Sequence, residues 1–181
     1  MKMLGISGSG RKKSFNTALL KAAAEMLPPG ATLEIFDVSG LPLFNQDQEA
    51  SPPPEVVELK RKVREADALV FATPEHNFSI TATLKNAIEW ANRPPGDNAW
   101  DGKPAAIVSA STSLRGGARA QAHLRQVMAD VNMHPINRPQ LYISRAQEAF
   151  DQDLKLTDEA HKKTLKELMA SLVDWAGKLS G

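Results

Sequence analysis

The sequence predicts an α/β fold in which a doubly wound, five-stranded parallel sheet carries helices on both faces. Three observations support this prediction: apolar and amphipathic segments alternate along the chain, two of the apolar segments are uninterrupted, and the 181 residues suit one domain. Crossovers between parallel strands are right-handed and usually helical. At this length we expect the smaller doubly wound architecture, strand order 2-1-3-4-5, as one domain over residues 1–181.

Five short apolar segments are predicted to form the strands. The third and fourth are apolar almost throughout, which is typical of central strands that are covered on both faces. The predicted strands are residues 2–6, 32–36, 68–73, 105–109 and 141–143.

Apolar residues repeat at three- and four-residue spacing between the strands, which predicts five helices. The second follows Pro52-Pro53-Pro54, a cluster that suits a helix start. Thr157-Asp158-Glu159 predicts a capped start for the last helix. The apolar stripes are Leu20, Ala23 and Leu27; Val56, Leu59 and Val63; Leu84, Ala87, Ile88 and Ala91; Leu124, Val127, Met128 and Val131; and Leu165, Leu168, Leu172, Trp175, Ala176 and Leu179.

Composition excludes several functional classes. The net charge of +1, from 22 basic and 21 acidic residues, predicts no nucleic-acid or anionic-membrane partner. The chain has no cysteine, so disulfides, thiolate metal sites and cysteine nucleophiles are excluded, and redox chemistry would need a bound cofactor. No apolar run approaches the ~18–20 residues of a membrane span, and residues 1–7 do not resemble a signal peptide. We therefore expect a cytoplasmic protein.

The loop after the first strand, residues 7–17, predicts a phosphate site. It combines hydroxyls, small residues and cations with the start of a helix, where anions bind. Arg11 follows Gly10, so the Gly-Lys-Ser/Thr of a P-loop is missing, and Lys13 stands where a dinucleotide fingerprint needs glycine. A single terminal phosphate monoester suits this loop better than a pyrophosphate. The alternative is a solvated turn with incidental basic residues.

Two further loops lie at the same predicted edge of the sheet, where doubly wound folds bind ligands. Pro74 follows the third strand directly and fixes one dihedral, so the backbone after it and the Asn77 amide can offer donors and acceptors to a flat heterocycle. The alternative is a plain turn with Asn77 or Ser79 as the helix cap. After the fourth strand, small hydroxyl residues precede Gly116-Gly117, which allow the backbone to approach a ring or ribityl chain closely.

Three blocks resemble the NADPH-dependent FMN reductase family, whose members include quinone, chromate and azo-dye reductases. Together they account for most of residues 1–137, and the first two are specific in combination. The blocks are Gly8-Ser9-x-Arg11-x-x-Ser14-x-Asn16; Thr73-Pro74-Glu75-x-Asn77-x-Ser79 with Leu84-Lys85-Asn86-Ala87-Ile88-Glu89-Trp90 behind it; and Gly116-Gly117-Ala118-Arg119-Ala120-Gln121 with Leu124-Arg125.

The resemblance implies a flavodoxin-like fold that binds FMN tightly, normally as a homodimer or homotetramer. Hydride from NADPH or NADH would pass through FMN to a quinone, flavin, azo compound or similar small molecule, so the flavin carries the chemistry and no catalytic side chain is needed. The chain departs from the family pattern at His76, where tyrosine is usual, and at Ser113, where glycine is usual. The implied cofactor-binding residues are Ser9, Arg11, Ser14 and Asn16 at the phosphate, with Phe15 and Thr17 beside them; Pro74, Glu75, His76 and Asn77 at the isoalloxazine; and Ser111 closing the site.

Two other functions stay open at this point. One is a flavodoxin-type electron carrier, although such carriers are usually strongly acidic and have a threonine-rich phosphate loop. The other is a P-loop nucleotide hydrolase, which the missing motif disfavours.

Phe44 and Trp100 either line the acceptor pocket or complete the core. Arg115 is a candidate for the extra phosphate of NADPH, whereas His134 and His161 are expected to be structural or exposed.

Overall fold

A computed structural model describes residues 1–180. Its strands are β1 (Lys2–Ser7), β2 (Thr32–Phe36), β3 (Ala68–Ala72), β4 (Pro104–Ala110), β5 (His134–Pro135) and β6 (Leu141–Ile143). Its helices are α1 (Phe15–Glu25), α2 (Pro54–Glu65), α3 (Ala82–Ala91), α4 (Ala118–Asp130), α5 (Ala146–Ala149) and α6 (Glu159–Leu179), and a 3-10 turn covers Gln46–Gln48.

All strand pairs of the sheet are parallel, and the predicted order is confirmed as β2-β1-β3-β4-β5. The predicted fifth strand is divided in two. The two-residue β5 pairs with the start of β4, and β6 pairs with its end. Residues 136–140 between them include Pro139, which has no N–H to donate to β4. The sequence prediction found only the second of these two segments.

The sheet separates two hydrophobic cores, as the prediction of helices on both faces requires. Side chains alternate between the faces along each strand. Thus Val70 points to the core formed with α1 and α6, whereas Leu69 and Phe71 point to the core formed with α2, α3 and α4. None of the helices within residues 1–180 has both the length and the apolar character to cross a membrane.

Trp100 belongs to the second core. Its side chain is fully buried, its Nε1 donates to the carbonyl of Ile88 at 3.0 Å, and its ring centroid lies 5.9 Å from that of Phe71. Phe44 packs edge-on against Trp90 with centroids 5.1 Å apart. The interpretation of Trp100 as a core residue is therefore confirmed.

Side-chain caps fix the helix starts that matter for the site. Ser14 Oγ accepts the backbone N–H of Thr17 at the start of α1, and Asp158 caps α6 as predicted. Thr81 caps α3, with its Oγ1 accepting the Leu84 N–H at 3.2 Å. The expectation that Asn77 or Ser79 would cap this helix is wrong, because both residues lie before Thr81 in a separate turn.

Candidate active site

A cavity of about 460 Å³ lies at the carboxyl ends of β1, β3 and β4. This volume is within the range of small-molecule sites, and the position is where doubly wound sheets bind ligands. Nine of the eleven predicted site residues line it: Ser9, Arg11, Ser14, Phe15, Asn16, Pro74, Glu75, His76 and Ser111. Thr17 and Asn77 do not. Seven lining residues were outside the predicted set: Gly8, Gly10, Thr81, Ala82, Thr83, Ala110 and Thr112.

The β1–α1 side of the cavity is rich in unpaired donors. The backbone N–H groups of residues 14–16 donate to no other group within residues 1–180, as expected at the start of a helix. Ser14 Oγ accepts the Thr17 N–H at 3.3 Å, which leaves the hydroxyl hydrogen of Ser14 free to donate. The side chains of residues 11–13 form no ion pair with any part of the described chain. This side of the cavity is therefore suited to an anion.

The Asn16 side chain joins two of the loops. Its Nδ2 donates to the Ala110 carbonyl at 2.9 Å, and its Oδ1 accepts the Ala110 N–H at 3.0 Å. These two hydrogen bonds fix the orientation of the buried amide, so the groups that Asn16 can still offer a ligand are its backbone N–H and the second hydrogen of Nδ2. Thr17 points elsewhere, with its Oγ1 2.9 Å from Ser7 Oγ. The contact between Asn16 and Ala110 spans 94 positions, so no local sequence signal could have indicated it.

The loop after β3 forms a tight hairpin at the cavity. The His76 N–H donates to the Ser79 carbonyl at 3.0 Å, and the Ser79 N–H donates to the His76 carbonyl at 2.9 Å. Between them, Asn77 and Phe78 have φ angles of 49° and 65°. Two successive left-handed residues are typical of a type I′ turn. His76 stays on the cavity wall, whereas Asn77 is carried to the outside.

Glu75 holds this hairpin against α4. Its Oε2 accepts the backbone N–H of Arg119 at 3.1 Å, and its Oε1 is 3.3 Å from Arg119 Nη1. Gly117, the N-cap of α4, has no side chain with which to accept a helix N–H, so the Glu75 carboxylate supplies that acceptor. The Arg119 guanidinium also lies over the Phe78 ring, 3.7 Å from its centroid. Arg119 was not among the predicted site residues, although it lies in the third block that resembles the family.

Thr81 connects the loop after β1 to the start of α3. Its Oγ1 donates to the Gly8 carbonyl at 2.6 Å while it caps the helix. A Cβ at Gly8 would lie 3.2 Å from Thr73 Oγ1 and 3.3 Å from Thr81 Oγ1. The small residue at position 8 therefore lets two loops of the site pack together.

The loop after β4 packs mainly against its own chain. The Ser111 N–H donates to the Ile143 carbonyl at 2.9 Å, and Ser111 Oγ lies 3.0 Å from Ser113 Oγ. Gly116 and Gly117 have positive φ angles and lie outside the cavity. A Cβ at Gly117 would be 2.7 Å from Ser109 Cβ. These glycines allow close contact with Tyr142, Ser144 and Ser109, and the expectation that they let the backbone approach a ligand stays a prediction.

A family model described as NADPH-dependent FMN reductase matches residues 1–148. The chain belongs to this family. It is 46% identical to an NAD(P)H-dependent FMN reductase of Pseudomonas aeruginosa, covering 100% of this chain and 98% of that protein. It is 43% identical to an NADPH:quinone oxidoreductase of Arabidopsis thaliana, covering 100% and 94%. The solved structure of FerB, a flavoenzyme NAD(P)H:(acceptor) oxidoreductase from Paracoccus denitrificans, superposes with a TM-score of 0.90 at 36% identity, covering 98% and 97%.

The predictions of fold, family and enzyme class are thereby confirmed, and the family's description names a reductase rather than an electron carrier. This reductase has a donor set that fits FMN. The unpaired N–H groups of residues 14–16 and the Ser14 hydroxyl match a phosphate monoester. Across the cavity, the backbone N–H groups of Glu75 and Thr112 have no partner within residues 1–180, which suits the polar edge of a flavin ring.

Other predicted positions lie away from the cavity lining. Arg115 is exposed in the loop after β4, and Phe44 and Trp100 are likewise not lining residues. The prediction that Phe44 and Trp100 form an acceptor wall has no support from their positions in this chain. His134 lies in β5, where its carbonyl accepts Trp175 Nε1, and His161 lies 3.0 Å from Asp158.

Proposed function

We propose that the cavity holds FMN and that the enzyme transfers hydride from NADPH or NADH through this flavin to a quinone. The observation that carries the proposal is the pairing of two features around one cavity, the donor-rich start of α1 and the hairpin after β3. The names of the Arabidopsis and Pseudomonas relatives support quinone as acceptor and FMN as the flavin.

The phosphate of FMN would bind at the start of α1. Backbone N–H groups of residues 14–16, the Ser14 hydroxyl and the Arg11 guanidinium supply the donors, while the partial positive charge at the N-terminus of α1 adds attraction. Ser9 and Phe15 form the adjoining wall. Asn16 fixes this donor set relative to the loop after β4 because its amide pairs with Ala110.

The isoalloxazine would lie against the backbone of residues 74–76 and the loop at Ser111. When bound, FMN supplies the hydride chemistry. The protein orients the ring through backbone groups, since both carboxylate oxygens of Glu75 contact Arg119. Arg115 stays our proposed contact for the extra phosphate of NADPH, because it is exposed in the next loop.

We also propose that residues 1–181 form a single FMN-binding domain, that it assembles as a homodimer or homotetramer, and that it works in the cytoplasm, where NAD(P)H is supplied. The single domain is supported by two hydrophobic cores that share one continuous sheet. Gly181 lies outside the described residues. Exposed apolar side chains at Leu43, Phe78 and Leu114 offer contacts for a second copy.

The visible spectrum of the purified protein tests the proposal. We expect flavin bands that bleach when NADPH is added without oxygen and return when a quinone is added, with no partner reductase present. Comparing NADPH with NADH for wild type and Arg115→Ala tests the phosphate contact, and an unchanged preference removes it. A protein that neither binds FMN nor oxidises NADPH would overturn the cofactor assignment. NADPH-dependent bleaching only with an added reductase would favour the carrier.

A further inference from the structure

We propose that Arg119 is a positioning residue that fixes the hairpin at the flavin side of the cavity. The inference rests on the proposed function, because it takes the cavity as the FMN site. Arg119 is not a cavity-lining residue, whereas its partner Glu75 and the adjacent His76 are. Its effect on a bound flavin would therefore pass through the hairpin.

The hairpin lacks strong support of its own. Asn77 and Phe78 both occupy the left-handed region, which is unfavourable for a residue such as phenylalanine. Phe78 is also 60% exposed and so is not anchored in either core. Within the turn, two backbone hydrogen bonds join His76 and Ser79. Contacts from outside the turn are needed to hold this conformation.

Those contacts come from one face of α4. Arg119 donates to both oxygens of Glu75 and covers the ring of Phe78. One turn later, His123 Nδ1 lies 2.9 Å from Ser79 Oγ. Residues four apart lie on the same side of a helix, so α4 holds both ends and the tip of the hairpin.

Charge and burial add to this coupling. The Glu75 side chain is 13% exposed and that of Arg119 is 35% exposed. Loss of the guanidinium would leave a largely buried carboxylate at the cavity wall without its counter-charge. We therefore expect removal of Arg119 to change the hairpin, and with it the environment of the ring, more than the stability of the fold.

The experiment measures FMN binding to apoprotein by flavin fluorescence, the visible circular dichroism of bound FMN, and the thermal midpoint. Arg119→Ala should raise the Kd for FMN about tenfold and alter the dichroism. Arg119→Lys keeps the positive charge beside Glu75 but loses the planar group over Phe78, so its Kd should lie between those of wild type and Arg119→Ala. Arg61→Ala is the matched control, since Arg61 makes exposed ion pairs with Glu58 and Glu65 on α2.

Glu75→Gln provides a second variant if Arg119→Ala does not fold. It keeps an acceptor for the Arg119 N–H but removes the ion pair, so its Kd should also rise, and combining it with Arg119→Lys should give less than the product of the separate effects. If Arg119→Ala or Glu75→Gln binds FMN with the Kd and dichroism of wild type, the positioning role is overturned. Failure of wild type to bind FMN would instead overturn the proposed function.

Discussion

Gly117 occupies a position where even one methyl group has no room. Its φ angle is 86°, and a Cβ would lie 2.7 Å from Ser109 Cβ. Ser109 has little freedom to move because its Oγ donates to the Gly116 carbonyl and accepts from Gln121 Nε2 at 2.8 Å. Gly117 thus packs against Ser109 at the point where Ser109 joins the loop after β4 to Gln121 in α4.

Gly117→Ala should lower the free energy of unfolding by about 2–4 kcal/mol, since it combines a left-handed alanine with a steric overlap. Urea denaturation measures this change. Gly177→Ala is the matched control: Gly177 lies on an exposed face of α6 with no atom within 4 Å of a Cβ, so alanine there should add up to about 0.5–1 kcal/mol. Equal effects of the two substitutions would contradict the packing argument.

At the scale of elements, α6 depends on a charged cap. Asp158 Oδ1 accepts the His161 N–H at 2.8 Å. This hydrogen bond, with the charge of the nearby His161 side chain, holds the pKa of Asp158 below its usual 3.8. A carboxyl with a lowered pKa in the folded state stabilises the fold above its unfolded pKa, and that contribution is lost as pH falls through the folded value.

Asp158→Ala should lower the free energy of unfolding by about 1 kcal/mol at pH 5, because α6 loses its N-cap. Asp158→Asn keeps a capping oxygen and should cost less. We expect the deficit of Asp158→Asn relative to wild type to shrink between pH 5 and pH 3, because the extra stability from the lowered pKa of Asp158 begins to be lost once pH falls below the unfolded pKa. Urea titrations at both pH values measure the deficit, and a value that grows toward pH 3 would refute the assignment.

Elements with a continuous or periodic apolar pattern were predictable from the sequence. The apolar run Ala68–Ala72 predicts a buried strand, and the apolar stripe of α6 predicts an amphipathic helix. Both patterns are visible in the sequence because buried positions need apolar side chains. His134–Pro135 carries no such pattern, since its pairing depends on β4, which is distant in sequence. The cap at Thr81 was missed for a related reason, as several hydroxyl and amide residues precede α3 and only the fold selects one.

At the scale of the whole molecule, the largest core side chains and the cavity lining are different residues, although Ala110 belongs to both the core and the lining. The largest buried side chains include Trp90, Trp100 and Phe71, and none of them lines the cavity. Trp100 joins the loop before β4 to α3 through Ile88. Stability and FMN binding should therefore respond separately to substitution.

FMN at about 100 times its Kd should add about 2.7 kcal/mol to the free energy of unfolding. For a protein of this size, that corresponds to a rise of about 5–10 °C in Tm. Trp100→Phe should lower the stability of the apoprotein by about 2 kcal/mol, through lost volume and the lost indole hydrogen bond, and should keep the same FMN increment. Calorimetry with and without FMN measures the stability of the apoprotein and the increment that FMN adds. A smaller increment in Trp100→Phe would show that core and cavity are coupled.

The location of the site could be predicted from the sequence, but most of the hydrogen bonds within the site could not. Strand-end loops with unusual composition lead to the cavity, and Ser9, Arg11 and Ser14 line it. The functions of Asn16 and Glu75 could not be predicted because their partners, Ala110 and Arg119, are remote in sequence. A motif indicates which residues gather at a site, whereas only the folded chain shows which of their atoms remain free.

The amide of Asn16 acts as a substitute peptide group. It meets the N–H and the carbonyl of Ala110 in the way a neighbouring strand would, although it comes from a helix. A carboxylate of the same shape would place two acceptors there, and one of them would face the Ala110 carbonyl. Conversion of this one amide to a carboxylate, as in Asn16→Asp, would therefore weaken the join between the start of α1 and the end of β4, and with it the hold on a ligand that both loops contact.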